Sequence, residues 1–86
     1  MKHLIISYKS RNELYAFSKI LKMHSINHLV VNTPKMIASS CMLSIKTDFS
    51  NYYIVSQLLT NFKTRSFLGL FSFESSTTGN QVIRLM

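Results

Sequence analysis

The sequence predicts an α+β fold in which a strand, a helix and a strand follow one another twice. Four short runs rich in β-branched and aromatic residues have the length and composition of strands. Two longer segments place apolar residues at helical spacing, and each follows residues that commonly cap a helix. The order β-α-β-β-α-β indicates a ferredoxin-like sandwich, a four-stranded antiparallel sheet with both helices on one face.

The first strand–helix–strand unit starts with an apolar run at residues 3–8, which predicts a buried strand. Ser10 and Glu13 then form a capping box, in which each side chain can bond the backbone N–H of the other residue. The helix that follows is expected to end near His24, and residues 28–32 predict the second strand. One face of this helix, at helical spacing, is expected to carry Leu14, Phe17, Ile20, Leu21 and His24.

The second unit repeats this pattern. Residues 42–46 alternate as a half-buried strand, and residues 47–50 supply caps for a second helix. Residues 67–73 predict the fourth strand, where Gly69 marks a bulge or a close approach of the backbone. The apolar stripe of the second helix is Ile54, Val55, Leu58, Leu59 and Phe62.

The domain boundary is placed by a change in composition after Glu74. Residues 1–74 contain every predicted element and form one α+β domain. Residues 75–80 are Ser, Thr, Gly and Asn, which is typical of a polar linker. We therefore expect residues 75–86 to be a linker and C-terminal tail outside the domain.

Charge and cysteine content limit the class of protein. Ten Lys and Arg against three acidic residues give a net charge of +7, which suits nucleic acid, an acidic protein surface or small anions. A single Cys excludes an internal disulfide and fits a reducing compartment. The apolar runs are far shorter than the ~18 residues of a membrane helix, and the N-terminal one is too short for a signal peptide. We expect a cytoplasmic protein with no membrane partner.

The sequence contains no recognisable catalytic constellation. Glu13 and Asp48 are explained by helix starts, and the three His have no metal-ligand spacing. There is no Cys-x-x-Cys motif and no phosphate-binding glycine loop. We expect no metal and no cofactor, and we favour a carrier or binding protein over an enzyme while leaving the enzyme question open.

The segment at residues 33–41 joins the second and third predicted strands and holds the only Pro and the only Cys. Thr33 can cap a helix and Pro34 fits its first position, which predicts a short helical turn or tight loop. The segment then reaches the small residues Ser39 and Ser40, which allow close approach by a ligand or by other backbone. This is the strongest candidate for a functional site.

Cys41 follows these small residues at the start of the third strand. A cation such as Lys35, or unpaired backbone N–H groups, lowers the pKa of a nearby thiol and favours the reactive thiolate. The alternative is a buried cysteine that acts as a small hydrophobic residue. The residues alone leave both interpretations open.

At this segment the chain resembles a family of small bacterial proteins described as selenium/sulfur carrier protein-like. Their pattern is Thr-Pro-Arg, five residues rich in Ser, then Cys-Gly and an apolar strand; here Thr33, Pro34 and Lys35 precede five residues and Cys41. Lys35 replaces the Arg, which keeps the charge but loses the bidentate fork. Met42 replaces the Gly, which removes a residue able to take positive φ. The resemblance covers about residues 3–73.

The resemblance implies a sulfur or selenium carrier that uses Cys41 as the acceptor thiol of a persulfide or selenide. Lys35 would stabilise the resulting anion, and Ser39 and Ser40 would donate hydrogen bonds to it. The implied partners are a cysteine desulfurase or selenium donor and an acceptor protein.

Two alternatives belong to other classes. The predicted fold also underlies RNA-binding modules, in which aromatic side chains of the sheet stack on bases. The strand at residues 67–73 has such aromatics, and Tyr8 is a candidate partner for them. The third hypothesis is a small interaction subunit that docks a protein on its exposed sheet face. RNA binding predicts steep salt dependence, whereas a carrier predicts loss of function with Cys41 alone.

Overall fold

A computed structural model describes residues 2–37, 42–62 and 65–86 of the chain. Its strands form one antiparallel sheet with the order β2-β3-β1-β4-β5. A 3₁₀ turn at Phe49–Asn51 precedes the second helix. The elements are β1 (Lys2–Tyr8), α1 (Arg11–Met23), β2 (His28–Asn32), β3 (Leu43–Asp48), α2 (Tyr52–Asn61), β4 (Phe67–Ser76) and β5 (Gly79–Arg84).

Both helices cover the same face of the sheet. Leu4, Ile6 and Tyr8 alternate along β1 and belong to one buried cluster that includes residues of α1 and α2. Since β3 lies between β1 and β2, and β1 lies between β3 and β4, each helix crosses one intervening antiparallel strand. The helix residues of the cluster are Leu14, Phe17, Leu21, Val55 and Leu59. Of the predicted stripe on α2, Ile54 is wrong, because its side chain is exposed.

The sheet has five strands, one more than the four that the sequence predicted. β4 extends to Ser76, and β5 pairs with it antiparallel from Ser76↔Gly79 to Phe71↔Arg84. The residues expected to be a linker and tail are therefore part of the sheet. Their polar residues form an exposed hairpin at the edge of the sheet. Gly79 in this hairpin adopts a φ of 132°, which other residues rarely take.

The N-terminus of α1 has the Ser10 half of the capping box that the sequence predicts. The Glu13 backbone N–H donates to the Ser10 hydroxyl at 3.3 Å. The Glu13 carboxylate also accepts a hydrogen bond from the Ser66 hydroxyl, which ties the first turn of α1 to the start of β4. The helix ends at Met23 with His24 as its C-cap, close to the predicted end. Neither α1 nor α2, the helices of the part of the chain described, is long and apolar enough to cross a membrane.

Gly69 lies at a bulge and at a close approach of the backbone, which confirms the prediction for this residue. Ser7 pairs with Gly69 and Tyr8 pairs with Phe67, so β4 carries one extra residue at this point. A Cβ at Gly69 would lie 2.9 Å from Cζ of Phe71 and 3.1 Å from the carbonyl oxygen of Met86. The bulge turns Phe67 toward the helices, where its ring meets that of Tyr8.

Candidate functional site

The candidate segment connects two paired strands at one end of the sheet. β2 ends at Asn32 and β3 starts at Leu43, and the Thr33 backbone N–H donates to the Met42 carbonyl at 2.7 Å. This bond continues the β2–β3 pairing by one step, so both ends of the connection are fixed. The predicted site residues Ser39, Ser40 and Cys41 lie outside the described residues.

A chain of three buried hydroxyls holds the first residue of this segment against the sheet. The Thr33 and Ser44 hydroxyl oxygens are 2.5 Å apart, and those of Ser44 and Ser7 are 2.8 Å apart. Ser7 and Ser44 are fully buried, and Thr33 is 8% exposed. The chain links the end of β2 through β3 to the central strand β1. Buried hydroxyls need such partners, because water cannot reach them.

Thr33 therefore has a different role from the predicted one. Its hydroxyl bonds Ser44 across the sheet, which anchors the segment there. The turn that follows is closed by the Ile37 backbone N–H, which donates to the Pro34 carbonyl at 2.9 Å. Lys35 lies in this turn with an exposed side chain. The structure thus places Thr33, Pro34 and Lys35 together at the end of β2.

Replacing Ser44 with Ala should destabilise the protein by about 1–3 kcal/mol, because it leaves the buried hydroxyls of Thr33 and Ser7 without their shared partner. The measurement is urea unfolding followed by circular dichroism. Ser56→Ala is the control, because that hydroxyl bonds the Tyr53 carbonyl on the exposed side of α2 and water can replace it. Equal effects of the two substitutions would contradict a structural role for the hydroxyl chain.

A shallow depression lies at the opposite end of the sheet. Both ring nitrogens of His28 already have hydrogen-bond partners within the protein. One is 2.6 Å from the Ser18 hydroxyl and the other is 2.9 Å from the Ile26 carbonyl. Hydrogen bonds from Ser50 hold the pKa of the Asp48 carboxyl below its usual value, and they cap the turn before α2. Among residues 2–37, 42–62 and 65–86, no three side chains form a group that could hold a metal ion. The depression is lined by His3, Asn27, His28, Leu29, Lys46, Thr47 and Asp48.

The position of Tyr8 rules out its predicted role in stacking on RNA bases. Its side chain is 2% exposed on the helix-covered face, and its hydroxyl donates to the Phe62 carbonyl at 3.2 Å. Burial, and secondarily the negative charge of Glu13, raises the pKa of the Tyr8 hydroxyl above its ordinary value. Phe71 and Phe73 do lie on the open face, since they pair with Ile5 and His3.

Ser7 and Ser44 were not among the predicted site residues. The available signal was the polarity of Ser7 directly after an apolar run in β1, since a polar residue on a buried strand requires a partner; Ser44 lies in a half-polar strand and gave no such signal. The partner could be named only once the register was known.

Fold and site define a small α+β domain in which the connection between the second and third strands carries the only cysteine. The family model that matches residues 3–66 is described as "Putative Se/S carrier protein-like". The match covers well over half of the chain, so the protein belongs to this family. It ends before β4 begins, and thus short of the predicted limit at residue 73. No curated protein and no solved structure matches the chain.

Proposed function

We propose that this protein carries sulfur or selenium on Cys41, bound to the thiol as a persulfide or as the corresponding selenide. The observation that carries the proposal is the family match over residues 3–66, which includes the one cysteine of the chain. We also assign the domain to the ferredoxin-like sandwiches, extended by β5 at one edge. The order β2-β3-β1-β4 supports this assignment.

The transfer is an exchange at sulfur with no net oxidation or reduction. The Cys41 thiolate attacks the outer sulfur of a persulfide on a donor protein. The bond between the two donor sulfurs breaks, the donor keeps its electron pair as a thiolate, and a new bond joins Cys41 to the transferred atom. The same steps with an outer selenium atom give the S–Se⁻ form. A cysteine desulfurase or a selenium donor would supply the atom, and an acceptor protein would remove it.

Two features of the described residues support this role for the segment. Lys35 is exposed in the turn after Pro34, where its ammonium group can stabilise a nearby anion. Thr33 is fixed by its backbone bond to Met42 and its hydroxyl bond to Ser44, so the attachment of the segment is rigid. Under the proposal Ser39 and Ser40 donate hydrogen bonds to the carried anion. A reducing, cytoplasmic setting fits a free thiol of this kind.

The proposal is tested by intact mass after incubation with a cysteine desulfurase and its substrate, either cysteine or selenocysteine, which loads the outer sulfur or selenium atom on the donor enzyme. We expect wild type to gain one sulfur or one selenium atom, removable by dithiothreitol, and Cys41→Ser to gain none. Lys35→Ala should slow loading about threefold, within the ~0.2–1 kcal/mol range of an exposed charge interaction. Lys19→Ala, on the exposed side of α1, is the control and should load normally.

Two results would contradict the carrier. One is a wild-type protein that stays unloaded although its thiol is reduced. The other is a thiol that alkylates only after denaturation, which would identify Cys41 as a buried hydrophobic residue. Circular dichroism of each variant excludes unfolding as the cause of a lost adduct.

A further inference from the structure

Five of the nine cationic side chains that the structure describes lie at one end of the sheet. β1 and β2 finish at the end where β3 and β4 begin, and this end, named here the loop end, also carries the connection from Thr33 to Met42. The Lys9 backbone N–H donates to the Ser66 carbonyl at 2.8 Å, so the segments flanking β1 and β4 are in contact there. The exposed cationic side chains at the loop end are Lys9, Arg11, Lys35, Arg65 and Arg84, whose guanidinium donates to the Leu68 carbonyl at 2.9 Å.

The acidic residues are distributed in the opposite way. Asp48 is the last residue of β3, and Glu74 pairs with Lys2 at the start of β1, so both lie at the far end. Glu13 is at the loop end, where its carboxylate accepts a hydrogen bond from Ser66. Within the part of the chain that the structure describes, the loop end therefore has five cationic side chains against one acidic side chain.

These cations are close enough to act as one positive patch. The four strands β2, β3, β1 and β4 are adjacent, and with neighbours ~4.8 Å apart they span about 14 Å. An anion near the middle of this width is about 7 Å from either outer strand, which is within the screening length of ~10 Å at 0.1 M salt. An approaching anion therefore experiences the field of several of these side chains at once.

The geometry points to the loop end as the docking surface for an acidic patch on the protein that exchanges sulfur or selenium with this chain. The inference rests on the proposed function, because it uses the connection that bears Cys41 to choose the partner. A protein is favoured over single-stranded nucleic acid, which needs exposed aromatic rings for stacking. Of the rings described at this end, Tyr8 is buried, Phe62 and Phe67 pack against the core, and the half-buried Phe71 has the Arg84 guanidinium 5.7 Å from its ring centre.

The test measures disulfide exchange between Cys41 and two peptides of equal length. Each peptide has one cysteine activated as a 2-pyridyl disulfide, flanked by Asp and Glu in one and by Lys in the other. We expect the acidic peptide to react about tenfold faster at low salt, the lower limit of electrostatic steering. The ratio should fall toward one near ~1 M salt, where the screening length is ~3 Å.

Matched charge reversals locate the effect. Lys9→Glu with Arg65→Glu should abolish the preference for the acidic peptide, and Lys19→Glu with Lys22→Glu should leave most of it. Both pairs change exposed side chains and alter net charge equally, and the backbone bond of Lys9 is retained. Equal losses in the two pairs would overturn the inference, because net charge alone would then explain the preference. Thermal melts confirm that each pair is folded.

Failure of this surface and failure of the carrier give different results. A wild type that accepts sulfur from a small persulfide donor but shows no preference between peptides overturns the docking surface alone. A wild type that prefers the acidic peptide but takes up no sulfur supports the charge complementarity and refutes the carrier. Protection of Cys41 by a short oligothymidylate, without preference for the acidic peptide, would overturn the choice of a protein partner.

Discussion

Deleting residues 77–86 is expected to lower the melting temperature by at least about 8 °C. The deletion should reduce the free energy of unfolding by ~2 kcal/mol, and each kcal/mol shifts the melting temperature of a domain of this size by roughly 4–8 °C. This result would reverse the expectation from composition, under which these residues are a dispensable tail. The measurement is thermal unfolding followed by circular dichroism at matched protein concentration.

The expected loss comes from the contacts that β5 and the last two residues make with β4. The Leu85 backbone N–H donates to the Leu70 carbonyl at 2.7 Å, and the Leu70 N–H donates to the Met86 carbonyl at 3.3 Å. The side chains of Leu85 and Met86 pack, half-buried, against the core. Leu70 is fully buried, so the deletion also brings water to the edge of the main cluster.

Point variants of the full chain separate the loss of packing from the loss of length. Leu85→Asp should reproduce much of the decrease, because it places a charge against the core without removing residues. Thr77→Ala, in the exposed hairpin turn, should change stability by less than ~0.5 kcal/mol. A truncated protein that melts within a few degrees of wild type would show that β5 is dispensable.

The elements that the sequence predicted correctly are those with strong local signals. α1 has a cap at Ser10 and an apolar face at helical spacing, and both depend on residues within one turn of each other. The second strand was predicted at the observed bounds, His28–Asn32, because a short β-branched run stands between a helix end and a Thr-Pro pair. Gly69 was informative because a glycine inside an apolar strand usually marks an irregularity.

The fifth strand was missed because its evidence is not local. Ser and Thr are as common in an exposed edge hairpin as in a linker, and Thr77 and Thr78 are not among the strongest turn residues. What makes Gly79–Arg84 a strand is the free edge of β4 beside it. That edge exists only after β1 and β4 have paired, so no window of the sequence contains the information.

Only part of the candidate site could be predicted, because its other contacts also join residues that are distant in the sequence. Thr33, Pro34 and Lys35 are adjacent in sequence, and the structure places them together at the end of β2. The bond between Ser7 and Ser44 joins residues 37 positions apart and depends on the register of β1 and β3. The wrong prediction for Tyr8 could have been avoided from the sequence. Alternate residues of a strand lie on the same face, so Tyr8 shares the face of Leu4 and Ile6.

Replacing Phe17 with Ala should destabilise the domain by about 3–5 kcal/mol, the range for removing a buried aromatic side chain. Phe17 is fully buried in the middle of α1, and its ring centre lies 6.0 Å from that of Tyr8 and 5.7 Å from that of Phe62. The substitution therefore leaves a cavity between α1, β1 and the end of α2. Native domains have a free energy of unfolding of only ~5–15 kcal/mol, so this substitution would remove a large part of it.

Tyr15→Ala is the matched control, because it removes an aromatic ring from the same helix at a side chain that is 52% exposed. Its effect on the free energy of unfolding should stay within ~0.5 kcal/mol. Urea unfolding of the two variants at 25 °C gives the comparison. A Phe17→Ala protein that is already unfolded without urea would agree with the predicted destabilisation. A Phe17→Ala variant as stable as Tyr15→Ala would mean that α1 does not pack on the sheet through this face. In that case the face of α1 that carries Phe17 would have to be reassigned to solvent.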